Sequence, residues 1–268
     1  MPTNDAYYDD SSVAEYFESQ EDFEDDKPFY VDFLNSLSGP QKVLEIGSGT
    51  GRLTRVLSQH GHTIIGVERS TAMIDVALKK LDAEKIETSK RPRYHHGNPL
   101  NDSPLSNDFD VVLIPEYTFG GFLSQSEQER ILGYCLESLR SGGSLIIHLY
   151  LPNPAYFAAL RLGGVGNPIR EQVGTIKDAN GDDVSITKSN SYSRVTGNVS
   201  AEVFYDRVTS EGLLHRGIQY VSSHAFTPSE ISLLLEKCGF HVKSIFGSFD
   251  KAPLLEDSKE LVVVSEKR

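Results

Sequence analysis

Residues 43–53 read VLEIGSGTGRL, an apolar run that ends in a glycine-rich turn and continues at helical spacing. Val43, Leu44 and Ile46 make a short buried strand, and Leu53, Val56 and Leu57 mark one face of a helix that Gly61 stops. A strand, a glycine turn and a helix in this order open the parallel sheets that hold nucleotide-like ligands. The dinucleotide fingerprint G-x-G-x-x-G uses its third glycine to let the helix pack closely under a pyrophosphate. Here the glycines are Gly47, Gly49 and Gly51, spaced G-x-G-x-G, and residue 52 is arginine. That spacing favours a ligand without phosphates over a nicotinamide dinucleotide. The next strand, TIIGVE, ends at Glu68, whose carboxylate suits the two hydroxyls of a ribose. An adenosine-containing cofactor is therefore expected.

Working outward, STAMIDVALKKL reads as a helix capped by Ser70, YHHGN as a third strand and DFDVVLIP as a fourth. SEQERILGYCLESLRSGG follows as a helix closed by its glycines, and SLIIHLYLP is a fifth strand. Strands alternating with helices predict right-handed crossovers and an α/β doubly wound sheet, with its ligand crevice outside the carboxyl ends of the strands. After Pro154 the texture changes to alternating polar and apolar residues punctuated by Asn180-Gly181, Gly197-Asn198 and Glu211-Gly212. These are hairpin signals, so an antiparallel insertion is expected from about residue 173 to 226. The chain returns through TPSEISLLLEKCGF, where Thr227 caps, Pro228 opens the first turn, Glu230 completes a capping box and Gly239 ends the helix. HVKSIFG and ELVVVSE then make a closing antiparallel pair. The expected division is an N-terminal segment 1–40, a core of 41–154 and 227–268, and an insertion of 155–226.

The chain has 268 residues, 38% of them hydrophobic, enough for one domain with an elaboration or for two small domains. Its 38 acidic and 26 basic side chains leave a formal charge of −12, which supplies no broad cationic surface for a nucleic acid. Cys135 and Cys238 fall within apolar helical patterns and read as buried thiols. The acidic N-terminus is unlike a signal peptide, and no stretch approaches the roughly 20 apolar residues of a membrane span, so a cytoplasmic protein is expected. His60 with His62, and the adjacent His95 and His96, lack ligand spacing, so no metal is expected.

With these elements in place the sequence resembles the class I S-adenosylmethionine-dependent methyltransferases over nearly its whole length. The E/D-x-G-x-G-x-G turn of that family stands here as Glu45 to Gly51, and the acidic end of the second strand as Glu68. DKPFYVDFL, PEYTFGGFLSQSEQERIL, HLYLPNP, the hairpins before FTPSEISLLLEKCGF, and the final GSFDKAPLLEDSKELVVVSEK are similar in order to the glycine and sugar N-methyltransferases. The resemblance implies a seven-stranded Rossmann-like sheet, with the N-terminal segment and the insertion forming lid and substrate wall. It implies S-adenosyl-L-methionine as cofactor, held by Tyr30, Glu45, Gly47, Ser48, Gly49, Gly51, Glu68, Arg69, Met73, Asn98, Pro99 and Pro115. Asn98 stands where relatives often carry aspartate, and its amide oxygen accepts the same bond. Tyr16, Phe17, Phe29 and Tyr30 are candidates for covering the site, and Tyr16, Glu116 and Tyr117 for touching the acceptor.

Methyl transfer from a sulfonium needs no metal, because positioning alone supplies much of the acceleration. The expected acceptor is a small molecule, an amine nitrogen favoured over oxygen. A base would have to come from the strand ends, where Glu116, His148 and Tyr150 are the candidates, and none is singled out. Two alternatives stand beside this reading. One is a non-catalytic protein that binds S-adenosylmethionine. The other is an NAD(P)-dependent oxidoreductase, which the glycine spacing and the lack of a Tyr-x-x-x-Lys pair oppose.

Overall fold

The computed structural model describes residues 25–84, 91–151, 161–162, 171–177, 182–209 and 211–268. Residues 25–151 and 226–268 belong to one compact unit, and those within 152–225 to a second. The first unit contains, in chain order, α1 (Lys27–Asn35), β1 (Lys42–Ile46), α2 (Arg52–Gln59), β2 (Thr63–Glu68), α3 (Thr71–Ala83), β3 (Arg93–His96), β4 (Phe109–Ile114), a 3-10 turn (Thr118–Gly121), α4 (Gln125–Ser138) and β5 (Leu139–Tyr150). The second unit contributes β6 (Arg161–Leu162), β7 (Glu171–Lys177), β8 (Asp183–Tyr192), β9 (Asn198–Val208) and β10 (Leu214–His224), after which α5 (Pro228–Lys237), β11 (Phe240–Phe246) and β12 (Glu260–Lys267) complete the first.

The first unit is built on a seven-stranded sheet in the order β11-β12-β5-β4-β1-β2-β3. β1 to β5 pair in parallel, whereas β12 lies antiparallel between β5 and β11. The strand order reverses between β1 and β4, which opens a crevice at their carboxyl ends. Consecutive apolar residues split between the two faces, as a period of two requires. Val111, Leu113, Ile146, Val262 and Val264 pack with Phe29, Tyr30 and Leu34 of α1 and with Leu53 and Leu57 of α2. Val112, Ile114, Leu145, Ile147, Leu261 and Val263 face α4 and α5 through Ile131, Leu132, Ile231 and Leu235. Runs such as DVVLI are thus continuous in sequence because both faces of the sheet are covered.

The caps hold the helices where the sequence places them. Ser70 accepts from the Met73 N–H, and Thr227 and Glu230 form a reciprocal capping box, as do Ser124 and Glu127. Each contributes about 1 kcal/mol. One boundary differs from expectation: α4 stops at Ser138 instead of running to the glycines, and β5 begins at once with the fully buried Leu139. The β4–β5 register shifts between Phe109 and Val111 to take up this extra length. Gly142 has φ 69°, and a Cβ on Gly143 would stand 2.9 Å from Leu139 Cδ2 and 3.1 Å from the Asp110 carbonyl oxygen. The glycines therefore serve a close strand contact, not a helix end.

In the second unit the sheet order is β10-β9-β8-β6, with β7 also pairing β8. All its pairs are antiparallel except β6 with β8, a short strand the hairpin signals do not reveal. Gly197 and Gly212, at φ 73° and 80°, turn the β8–β9 and β9–β10 hairpins as expected. The Gly181 turn lies outside the described residues. No helix among the described residues is long and apolar enough to cross a membrane.

Candidate functional site

The glycine turn after β1 satisfies its own backbone. The N–H groups of Gly47 and Ser48 donate to the Val67 carbonyl at 2.8 and 3.2 Å, Gly51 donates to the Ser48 carbonyl at 2.9 Å, and Gly49 donates to Glu68 Oε2 at 3.0 Å. A pyrophosphate cradle leaves such N–H groups free to meet the anion. Here they are committed within the fold, which accords with a ligand lacking phosphates. The three glycines have φ of 74°, 53° and 77°, yet they meet different surroundings. A Cβ on Gly47 would stand 2.5 Å from Thr118 Cγ2, and one on Gly51 would overlap the Tyr94 side chain, whereas one on Gly49 meets nothing within 4 Å. Gly49 therefore faces the open part of the crevice.

Glu68 closes the turn from β2. Its Oε1 accepts the N–H groups of Arg69 and Ser70 at 2.8 and 2.9 Å, and Oε2 accepts Gly49 N–H, so the carboxylate is fixed at the crevice edge. A carboxylate takes about four hydrogen bonds, which leaves capacity on Oε2. Met73 lies in the first turn of α3, 3% exposed. Asn98 Oδ1 accepts the Leu100 N–H at 3.1 Å, and Asn98 N–H donates to Asp102 at 2.6 Å, so the residue builds the turn that carries Pro99. The Ser48 side chain is directed at β2, since a Cβ on Gly66 would stand 2.6 Å from its Oγ.

A charged cluster borders the turn that residue-by-residue reading does not reveal. Arg52, first in α2, donates from both terminal nitrogens to Asp26, at 2.6 Å to Oδ1 and 2.7 Å to Oδ2, and lies 3.4 Å from Glu116 Oε2. Asp26 stands just before α1 but makes no side-chain cap there. Its fully buried carboxylate is given over to the guanidinium. Burial pushes the neighbouring Glu45 carboxyl up to about 8, against the lowering effect of its bond from the Thr54 hydroxyl and of Arg52. Tyr30 is wholly buried on α1 among these charges. Burial, then Asp26 and Glu45, hold its phenol well above the usual range, and its hydroxyl has no partner among the described residues. Phe29 docks α1 instead, edge-on to Phe246 and Phe249 at 6.2 and 6.0 Å. Tyr16 and Phe17 lie outside the described residues.

The carboxyl ends of β4 and β5 hold a second constellation. Pro115 is buried, and Glu116 and Tyr117 both take positive φ, 47° and 63°, an uncommon conformation for side chains of this size. That turn sends Glu116 toward Arg52 and Tyr117 onto His148, ring centroids 4.6 Å apart. His148 is fully buried, and its Nε2 donates to Glu260 Oε2 at 2.7 Å. The Tyr117 hydroxyl reaches the same carboxylate, 3.2 Å from Oε1 and 3.1 Å from Oε2, and Tyr150 stands edge-on to Tyr117 at 6.0 Å. Burial and Glu260 raise the phenols of Tyr117 and Tyr150. Of these residues Glu260 is the one with no sequence signal: it is the first residue of β12, over a hundred positions from His148, and only the antiparallel pairing brings them together.

Two other histidines bond to the backbone of neighbouring elements. His62 Nδ1 accepts the Gln41 N–H at 3.1 Å, and His96 Nε2 lies 2.9 Å from the Arg69 carbonyl. No cluster that could hold a metal occurs among the described residues. Both cysteines are free, Cys135 buried and Cys238 half-buried at the end of α5.

Comparison with known proteins bears on the fold and its family. Residues 43–143 match a family of methyltransferase domains. A cypemycin N-terminal methyltransferase from a Streptomyces species is 26% identical over 231 residues, 84% of this chain and 83% of that protein. An uncharacterised methyltransferase of Oceanobacillus iheyensis is 32% identical over 52% of this chain and 60% of its own length. Among solved structures, a sugar N-methyltransferase from a Streptoalloteichus species superposes with a TM-score of 0.69 at 18% identity, covering 94% of this chain and 91% of that one. The glycine turn, the acid closing β2 and the seven-stranded sheet accord with these matches, and residues 43–143 belong to a family of methyltransferase domains.

Proposed function

We propose that the chain transfers a methyl group from S-adenosylmethionine to an amine nitrogen of a small molecule. The observation that carries the amine is the setting at the carboxyl ends of β4 and β5: two partly exposed carboxylates, Glu116 and Glu260, beside the rings of Tyr117 and Tyr150. Aromatic faces and carboxylates stabilise a positive nitrogen, the charge an amine acquires as it is methylated. Two relatives support the same class by name, the cypemycin N-terminal methyltransferase and the sugar N-methyltransferase.

The residues present fit the cofactor. Gly49 leaves open space at the turn, the buried Tyr30 hydroxyl lacks a partner among the described residues, and Glu68 keeps acceptor capacity at the crevice edge. When bound, S-adenosylmethionine supplies an electrophilic methyl on a sulfonium. Glu68 would take the ribose, Met73 and the turn at Asn98 and Pro99 the adenine, and Tyr30, Glu45 and the Gly47–Gly51 turn the methionine part. Asp26, Glu116 and Arg52 beside the turn sum to one negative charge, which suits a cationic ligand.

Glu68→Ala is expected to weaken S-adenosylmethionine binding by about 2 kcal/mol, roughly thirtyfold, since hydrogen bonds to a charged group are lost. Titration calorimetry checks this, and unchanged affinity would mean that another group holds the ribose. For the acceptor, the protein with S-adenosylmethionine should release S-adenosylhomocysteine on mixing with small amines. Release with phenols or carboxylic acids alone would overturn the amine reading.

A further inference from the structure

We infer that Glu260 receives and orients the acceptor amine, with His148 and Tyr117 holding its carboxylate in place; this rests on the amine reading above. β12 runs against β5, so its first residue stands beside Tyr150, at the edge where the crevice opens. In the alternation along β12, Glu260 shares its side of the sheet with Val262 and Val264, which are buried, but its own side chain remains 21% exposed. Tyr117 and His148 are the two side chains whose hydrogens reach it among the described residues. The phenolic hydrogen is shared between both oxygens and the imidazole N–H goes to Oε2, so a carboxylate able to take about four bonds keeps room on Oε1. An amine N–H can fill that place.

His148 is the more familiar kind of residue for a base, yet it is placed behind the site. It is fully buried, with its ring 4.6 Å from Tyr117 and 4.7 Å from Phe249, so an acceptor meets Glu260 first. Its part is to fix Glu260, which makes it a positioning residue. Glu116 is the other carboxylate at this edge, and it is drawn to Arg52 instead. An alcohol would bring one hydrogen and no charge to Glu260, and a carboxylate substrate would be repelled. Discrimination for amines therefore resides in this residue.

The test uses the full chain with three matched pairs: cyclohexylamine and cyclohexanol, benzylamine and benzyl alcohol, glucosamine and glucose. Release of S-adenosylhomocysteine gives kcat and KM, and calorimetry gives the affinity for S-adenosylmethionine, which also reports that each variant is folded. The wild type is expected to methylate at least one amine and none of the alcohols. Glu260→Gln is expected to raise the KM for that amine by about tenfold or more, the loss of a charge-assisted bond, with cofactor affinity unchanged. His148→Gln, which keeps an N–H donor, is expected to retain more of the amine affinity than His148→Phe, and both to act on KM. Amine turnover with KM unchanged in Glu260→Gln overturns the assignment and leaves the amine reading standing. Methylation of the alcohols in preference overturns the amine reading itself, and silence toward all three amines overturns both.

Discussion

Arg52→Ala is expected to lower the unfolding free energy by about 3–5 kcal/mol, because it strands a buried carboxylate. Asp26 is completely buried, and both of its oxygens are held by the guanidinium at 2.6 and 2.7 Å. With alanine at position 52 that charge would remain buried without the guanidinium that holds both of its oxygens. The loss belongs to the orphaned charge more than to the pair, which a second variant separates: Asp26→Leu with Arg52→Met removes both charges and should recover much of the stability. Denaturant unfolding of the single and double variants checks this. A loss below about 1 kcal/mol in Arg52→Ala, the range of an exposed ion pair, would show that water reaches Asp26. Because Asp26 immediately precedes α1 and Arg52 opens α2, the same pair ties the aromatic helix to the cofactor turn, and cofactor affinity should fall with stability.

Gly51→Ala is expected to cost roughly 2–5 kcal/mol, adding a left-handed backbone penalty to overpacking. Gly51 has φ 77°, and the added methyl would overlap the Tyr94 hydroxyl, with Cζ of the same ring only 2.8 Å away. Tyr94 stands on β3, which pairs with β2, and its ring would have to move aside to admit the methyl. Gly51→Ala with Tyr94→Phe should recover part of the loss and no more, since the ring carbon and the backbone strain persist. Gly49→Ala is the control: a left-handed φ of 53° with nothing within 4 Å keeps a backbone penalty and omits the overlap, so its stability loss should be the smaller. Thermal unfolding of the three variants checks the order. Equal losses in Gly49→Ala and Gly51→Ala would mean that the backbone conformation alone decides.

Much of the sheet was legible because its determinants are local. The capping residues Ser70, Thr227 and Glu230 act within three positions of their partners, and the run from Phe109 to Ile114 announces a strand covered on both faces. The end of α4 was not legible, because Leu139 has a helical neighbourhood in sequence and a buried place beside Phe109 in space. β6 was missed because two residues carry no period, and its pairing with β8 is made across intervening chain.

The same division runs through the site. By itself the sequence pointed to an adenosine-containing cofactor, since the spacing in VLEIGSGTGRL disfavours a dinucleotide and Glu68 ends the next strand, and the resemblance carried by its ordered motifs named S-adenosylmethionine. It also named the strand-end residues Glu116, Tyr117, His148 and Tyr150, because a parallel sheet always opens at its carboxyl edge. Tertiary structure alone decided which of them act together. Asp26 meets Arg52, and Glu260 meets His148 and Tyr117, through packing of elements distant along the chain. A hydrogen bond depends on distance in space, and a sequence records distance only along the chain. For that reason the ligand of the glycine turn could be read from motifs in their order along the chain, whereas the carboxylate facing the acceptor needed the antiparallel return of β12.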